Sequence, residues 1–267
     1  MNTHVDHASP RSQAASPAAY PIRTVVFIHG FLDSGASWQP LARALAPYGL
    51  ACLAPDLRGA GERADQDGPY TLAQAVDDVL DVLREPVAAG GVALVGHSMG
   101  AQIAELAALR SPRSVSALVL ITPTPLEGNV LPDEVRAMLR ESGGDVAAQR
   151  GIRKAFSRNL PDQLLDASLD PRRMMGVAAV RGYYDAFTGG DRAGKHAGQY
   201  AGPTLILGAV EDPVIPPDMV ERIRSTRHPR AELAFIEGSG HWPQLEQAAS
   251  TAAHLVRFLQ PGAPTGK

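Results

Sequence analysis

The sequence predicts an α/β fold: a mostly parallel sheet of about six strands flanked by helices, with a helical lid inserted between two strands. Three observations carry this. Six short runs, at 24–29, 49–55, 92–96, 117–121, 204–208 and 231–236, are nearly continuously apolar rather than alternating. Strands covered by helices on both faces read this way. Helical patterns separate them, at about 39–46, 72–84, 101–110, 218–223 and 247–259, and strand–helix alternation is the mark of an open parallel sheet. From about 123 to 202 the rhythm breaks, and no run has the makings of a buried strand.

Taken in order, the first run reads Thr-Val-Val-Phe-Ile-His, and only a Pro/Ala/Ser-rich tail of 1–20 precedes it. The run at 49–55 carries Cys52, the only cysteine, which is expected to be a buried, inert thiol. The broken interval reads as short helices at 133–141, 146–159, 162–167 and 172–188. Pro132 and Pro161 stand near helix starts, and Gly143-Gly144 and Gly189-Gly190 mark stops. Some 80 residues of helix are too long for a plain connection, and a lid is expected. The expected organisation is a core of 21–122 and 203–260, a lid of 123–202, and mobile tails at 1–20 and 261–267.

Of the 267 residues, 45% are apolar and 20% charged, and the formal net charge is −3. That is ordinary globular composition, with no basic surface to invite nucleic acid or an anionic membrane. One cysteine excludes an internal disulfide and a cysteine-rich zinc or iron–sulfur site. No stretch approaches the length of a membrane span, and the first twenty residues lack the apolar segment of a secretory signal. The expectation is a cytoplasmic monomer or homodimer that acts on a small molecule without metal or cofactor.

Open parallel sheets bind ligands beyond the carboxyl ends of their strands. The residues there are His29-Gly30-Phe31, Asp56, Ser98, Thr122, Asp212 and His241. Ser98 stands in Gly96-His97-Ser98-Met99-Gly100, between an apolar run and a helical one. A strand-to-helix turn tight enough to project a serine hydroxyl needs small residues two positions to either side. A serine needs a base, and His241 in Gly238-Ser239-Gly240-His241-Trp242 follows the last strand. The other histidines considered, His4, His7, His196, His228 and His254, fall in tails, turns or helix surfaces. The base needs a carboxylate to fix its tautomer. Asp212 follows the fifth run; Glu211 competes, but the residue before Pro213 is the more constrained. After the fourth run no carboxylate appears until Glu127. The backbone N–H groups of Met99 and Phe31 are the expected donors to an oxyanion.

With these residues in view, the chain resembles the α/β-hydrolase superfamily from about Thr24 to Leu259. The resemblance rests on His29-Gly30-Phe31, Pro55-Asp56-Leu57-Arg58-Gly59-Ala60-Gly61, the Ser98 pentapeptide, Gly208…Asp212 and Gly240-His241-Trp242. It implies a triad in the order Ser98, Asp212, His241, and a lid inserted after the family's sixth strand. It also implies loop-organising roles for Asp56 and Arg58 and packing roles for His29 and His97. There are departures: the family's first two strands have little sequence to form from in the Pro/Ala/Ser-rich tail before Thr24, Asp33 replaces a small residue, and Ala60 replaces a histidine. Ser98 excludes the branch with an aspartate nucleophile. The serine branch spans carboxylesterases, lactonases, thioesterases, carbon–carbon bond hydrolases and perhydrolases, and Gly240-His241-Trp242 resembles the carbon–carbon hydrolases. The reading is a cofactor-independent hydrolase of a small carboxylic ester or lactone, working through an acyl-enzyme. A carbon–carbon hydrolase of a diketone-type substrate, a cofactor-free dioxygenase or lyase using only the His–Asp pair, and a non-hydrolysing receptor are the alternatives. Expected substrate contacts are Trp242, Phe156, Met175, Tyr183 and Phe187; Arg172-Arg173 reads as a solvated pair.

Overall fold

The computed structural model describes residues 22–85, 91–167 and 169–262. The tail expected at 1–20, and residues 263–267 of the one expected at 261–267, lie outside them.

Six parallel strands form one sheet: β1 (Ile22–Ile28), β2 (Ala51–Leu53), β3 (Gly91–His97), β4 (Ala117–Ile121), β5 (Thr204–Ala209) and β6 (Glu232–Ile236), in the order β2-β1-β3-β4-β5-β6. Side chains of a strand alternate between faces. Val26, Ile28, Leu94, Leu118 and Ile206 enter one core, while Val25, Phe27, Val95, Val119 and Leu205 enter the other. The unbroken apolar runs have this cause: both faces are covered. On the first face lie α2 (Leu72–Arg84), α3 (Met99–Arg110) and α8 (Pro217–Arg227). On the second lie α1 (Gln39–Leu45) and α10 (Ala248–Leu259), with Trp38 stacked on Phe27 at 4.6 Å. In α2 the residues Leu72, Ala75, Val76 and Val79 recur at helical spacing and are buried, and Thr71 caps the first turn by accepting from the Gln74 N–H.

Three expectations are corrected. β2 is only three residues long and sits at the sheet edge, so Cys52 is half-buried rather than buried. The helix expected at 172–188 begins only at Val177, because 172–176 are irregular. The helix expected at 247–259 stands as α10 (Ala248–Leu259), preceded by a separate short helix, α9 (Pro243–Glu246). His228 is not on a surface. It is buried with its Nε2 3.2 Å from Glu105 Oε1, and Arg227 Nε lies 2.6 Å from the same oxygen.

Between β4 and β5 run α4 (Asp133–Arg140), α5 (Val146–Phe156), α6 (Asp162–Ala167) and α7 (Val177–Gly189). The two roots of this insertion are bonded to each other and to the core. Asp191 N–H donates to the Leu126 carbonyl at 2.8 Å. Gln102 Nε2, on α3, donates to the carbonyls of Pro125 (2.7 Å) and Phe187 (3.1 Å). Arg227 Nη1 donates to those of Ala193 (2.6 Å) and His196. Among the described residues no helix is long and apolar enough to cross a membrane.

Candidate active site

Ser98 occupies the turn between β3 and α3 with φ 53° and ψ −118°. A non-glycine residue held at positive φ costs about 1–3 kcal/mol, and the packing around it enforces the strain. A Cβ on Gly96 would come within 2.2 Å of the Gly100 carbonyl oxygen, and one on Gly100 within 2.2 Å of the Ile28 oxygen. Ser98 N–H donates to Ile121 at 3.0 Å, holding the turn against β4. Leu32 and Thr122 are the other non-glycine residues at positive φ among those described. The three stand beyond the carboxyl ends of adjacent strands β1, β3 and β4.

The sheet brings Ser98, His241 and Asp212 together, all buried. His241 Nε2 lies 3.0 Å from Ser98 Oγ, and Nδ1 lies 2.8 Å from Asp212 Oδ2. The other Asp212 oxygen, Oδ1, accepts from the N–H groups of Val214 (2.8 Å) and Ile215 (3.1 Å), which fixes the carboxylate plane. Glu211 turns elsewhere: its Oε2 accepts from the Ser239 N–H at 3.2 Å. The His241 backbone is held on both sides. Its carbonyl accepts from His97 Nε2 (2.7 Å) and Thr122 Oγ1 (3.2 Å), and its N–H donates to the carbonyl of Phe156 (2.8 Å). Burial, with His241 close by, pushes the His97 pKa down to about 3, so His97 is a neutral donor to this carbonyl. His29 is also a loop-fixing residue, Nε2 accepting from Leu57 N–H at 2.9 Å. Asp56 accepts from the N–H groups of Gly35 (2.7 Å) and Glu62 (2.8 Å), and Arg58 pairs with Asp78 at 3.2 Å.

Met99 is the first residue of α3, where an N–H has no partner within its own helix. Neither its N–H nor that of Phe31 donates to a described residue.

A cavity reaches Ser98 and His241 and encloses about 530 Å³, its open mouth included. Phe156, Phe187 and Trp242, three of the expected substrate contacts, line it. Met175 and Tyr183 do not, and both expectations are corrected. Met175 is buried inside the insertion, its carbonyl accepting from Gly144 N–H (3.0 Å) and Gln149 Nε2 (3.4 Å). Tyr183 faces the core instead, its hydroxyl donating to the Arg58 carbonyl at 2.9 Å and its ring against Tyr70. Arg172 is exposed beside Asp170, and Arg173 pairs with Glu62 at 2.5 Å.

The wall also contains residues that the sequence reading missed: Ile152, Leu131, Val214, Ile215, Thr124, Asn129 and, above all, Arg153. Arg153 is 1% exposed and pairs with Asp33 at 3.0 Å, so the aspartate that departs from the family pattern has its partner in the insertion. A signal was present. Gln149, Ile152, Arg153 and Phe156 follow helical spacing, which puts a charged residue on the inward stripe of α5.

The model of the alpha/beta hydrolase fold family matches residues 23–248. The chain belongs to that family. Relatives of this α/β hydrolase include a protein of Mus musculus named sn-1-specific diacylglycerol lipase, 25% identical, with 88% of this chain and 80% of the relative covered. Another, of Cupriavidus pinatubonensis, is named 2-hydroxy-6-oxononadienedioate/2-hydroxy-6-oxononatrienedioate hydrolase; it is 27% identical over 88% of this chain and 86% of the relative. A solved esterase from Exiguobacterium antarcticum superposes with a TM-score of 0.77 at 23% identity, covering 89% of this chain and 92% of that one, which places the fold. Among the described residues no group of three or more His, Cys, Asp or Glu is arranged to hold a metal ion.

Proposed function

We propose that this α/β hydrolase cleaves a small carboxylic ester or lactone through an acyl-enzyme on Ser98. The observation that carries it is the continuous chain Ser98 Oγ, His241, Asp212, at 3.0 and 2.8 Å; the N–H groups of Met99 and Phe31, which donate to no described residue, are the proposed oxyanion donors. Ser98 Oγ attacks the carbonyl carbon while His241 Nε2 takes its proton. The oxygen becomes negative and is held by the two N–H groups. Asp212 keeps Nδ1 protonated and stabilises the imidazolium. His241 returns the proton to the leaving oxygen. Water, deprotonated by His241, then releases the acid. The helical insertion acts as a lid, since its α4, α5 and α7 supply Leu139, Ile152, Phe156 and Phe187 to the wall.

The test is Ser98→Ala against a panel of acyl esters of graded length, lactones and a vinylogous diketone. Loss of turnover by about 10⁴-fold or more is expected, with the fold intact. A fully active variant would sink the reading and favour chemistry by the His–Asp pair alone. Carbon–carbon cleavage is the second reading. Trp242 in the cavity wall beside His241, together with the name of the Cupriavidus relative, supports it. Turnover of the diketone in preference to every ester would select it.

A further inference from the structure

Arg153 is the one Arg or Lys among the described residues lining the cavity. Nη2 is fully engaged, donating to the Leu32 carbonyl (2.6 Å) and Asp33 Oδ1 (3.0 Å). Nε and Nη1 are buried and have no partner. The Trp242 ring covers the guanidinium face, 5.3 Å from its centroid. A ring face stabilises the cation but offers no lone pair to an in-plane N–H. Buried N–H donors left without an acceptor are costly. They belong to a wall made mostly of Ile, Leu, Val and Phe and, with Asp33 Oδ2, likewise buried and unpartnered, are left for water or the cavity's occupant to satisfy.

The charge balance says which kind. Burial alone would raise the Asp33 carboxyl, but Arg153 outweighs it and holds the carboxyl below its usual range. Asp33 is therefore an anion, and it already neutralises Arg153. A carboxylate entering the cavity would be a second anion facing one cation in a poorly solvated wall, and burying an unbalanced charge is far costlier than burying a paired one. An uncharged oxygen accepts the same N–H bonds and leaves no charge unbalanced.

We propose that Arg153 and Asp33 form a subsite for a neutral acceptor: the substrate carries, besides the bond attacked at Ser98, a second uncharged carbonyl or ether oxygen that Arg153 Nε–H or Nη1–H binds. This rests on the hydrolase reading of the same cavity and narrows its substrate class to doubly oxygenated, uncharged compounds.

The test uses p-nitrophenyl esters matched in length. Each acyl chain ends in a methyl group, a methyl ester or a free carboxylate, in succinyl, adipoyl and suberoyl series. At one length the methyl-ester chain is expected to have a kcat/KM about tenfold above the alkyl chain, carried by KM, a difference of about 1.4 kcal/mol. The free acid is expected to be the poorest. Arg153→Met removes the methyl-ester advantage, and Asp33→Asn improves the free acid about tenfold relative to the methyl ester. If either variant fails to fold, the wild-type ranking decides alone. Alkyl chains equal to or better than methyl esters at every length overturn the proposal, as does a wild-type preference for the free acid. Titration calorimetry of dimethyl adipate against methyl heptanoate, on folded Ser98→Ala protein, reads the subsite without turnover. Tighter dimethyl adipate supports it and equal affinities overturn it. If wild type hydrolyses none of the esters and a fluorophosphonate leaves Ser98 unlabelled, the hydrolase reading fails, and this titration still judges the subsite.

Discussion

The backbone N–H of His241 donates to the carbonyl of Phe156, the last residue of α5, at 2.8 Å. A carbonyl in the last turn of a helix has no partner in that helix, so the bond satisfies α5 and hangs the proposed base from the insertion. The approach is close: a Cβ on Gly240 would stand 2.4 Å from the same oxygen. Glu246 reinforces the junction. Its Oε2 accepts from the N–H groups of Arg158, Asn159 and Gly240 at 2.6–3.1 Å, and its Oε1 from Trp242 at 3.1 Å.

Glu246→Gln replaces one oxygen by an NH₂ group and removes the charge from a four-donor acceptor. Hydrogen bonds to charged groups are worth about 1.5–3 kcal/mol. The expected outcome is a kcat several-fold lower with a smaller change in KM, and a Tm lower by several degrees. Steady-state kinetics and a thermal melt check it; an unchanged kcat would show that the junction does not position His241.

Asp212→Asn is expected to fold and to lose about 10⁴-fold in kcat. Val214 and Ile215 donate to Oδ1, so the variant's amide oxygen is kept there and its NH₂ is turned toward His241 Nδ1. That forces the proton onto Nε2, where it blocks the acceptor that Ser98 needs. Single-turnover kinetics across pH would check it, and a loss below tenfold would count against Asp212 as the orienting carboxylate.

Stability should fall on mild acidification. His97 titrates at about 3 in the folded protein against 6.5 as its ordinary value, and burial lowers His29 as well. Below 6.5 the unfolded chain binds protons that the folded chain refuses. Stability is thus fully present above 6.5 and is lost as pH falls toward 3, at about 1.4 kcal/mol per pH unit for each such group at most. Urea unfolding from about pH 8 to pH 4 measures this, with the slope reduced by about one proton in His97→Gln. A flat profile would contradict it.

Two glycine substitutions should move in opposite directions. Gly100→Ala has no room and should abolish the folded elbow, lowering soluble yield and Ser98 labelling together. Gly151 lies inside α5 with nothing within 4 Å of a Cβ. Gly151→Ala is expected to stabilise by about 0.5–1 kcal/mol, and a Tm rise of a few degrees would confirm it.

Much of this was legible in the residue order. The apolar runs gave six strands because both faces of β1, β3, β4 and β5 are covered, and the residues just beyond them gave Ser98, Asp212 and His241, whose positions are tied to strand ends. Edge position hid the shortness of β2, since an edge strand needs fewer apolar neighbours than its sequence offered. The cavity wall was harder. Periodicity tells which helix residues point inward, and it cannot separate residues facing a cavity from those facing packed neighbours. Met175 and Tyr183 were therefore indistinguishable from Phe156 and Phe187. Arg153 was passed over because a charged residue on an inward stripe reads as solvated until its partner, 120 positions away in sequence, is placed beside it.

The insertion has no loose stalk. Leu126 and Asp191 tie its two ends to each other, Gln102 tethers one to α3, and Arg227 tethers the other to α8. A rigid flap turning about its base would have to break these bonds together. On the proposed lid reading, a substrate would enter by the cavity's open mouth or by yielding within the insertion, where Gly143 and Gly144 join α4 to α5 and the irregular 172–176 precedes α7. In the proposed lid, what would resist an entering substrate is then the internal stiffness of a few short helices rather than a hinge at the sheet.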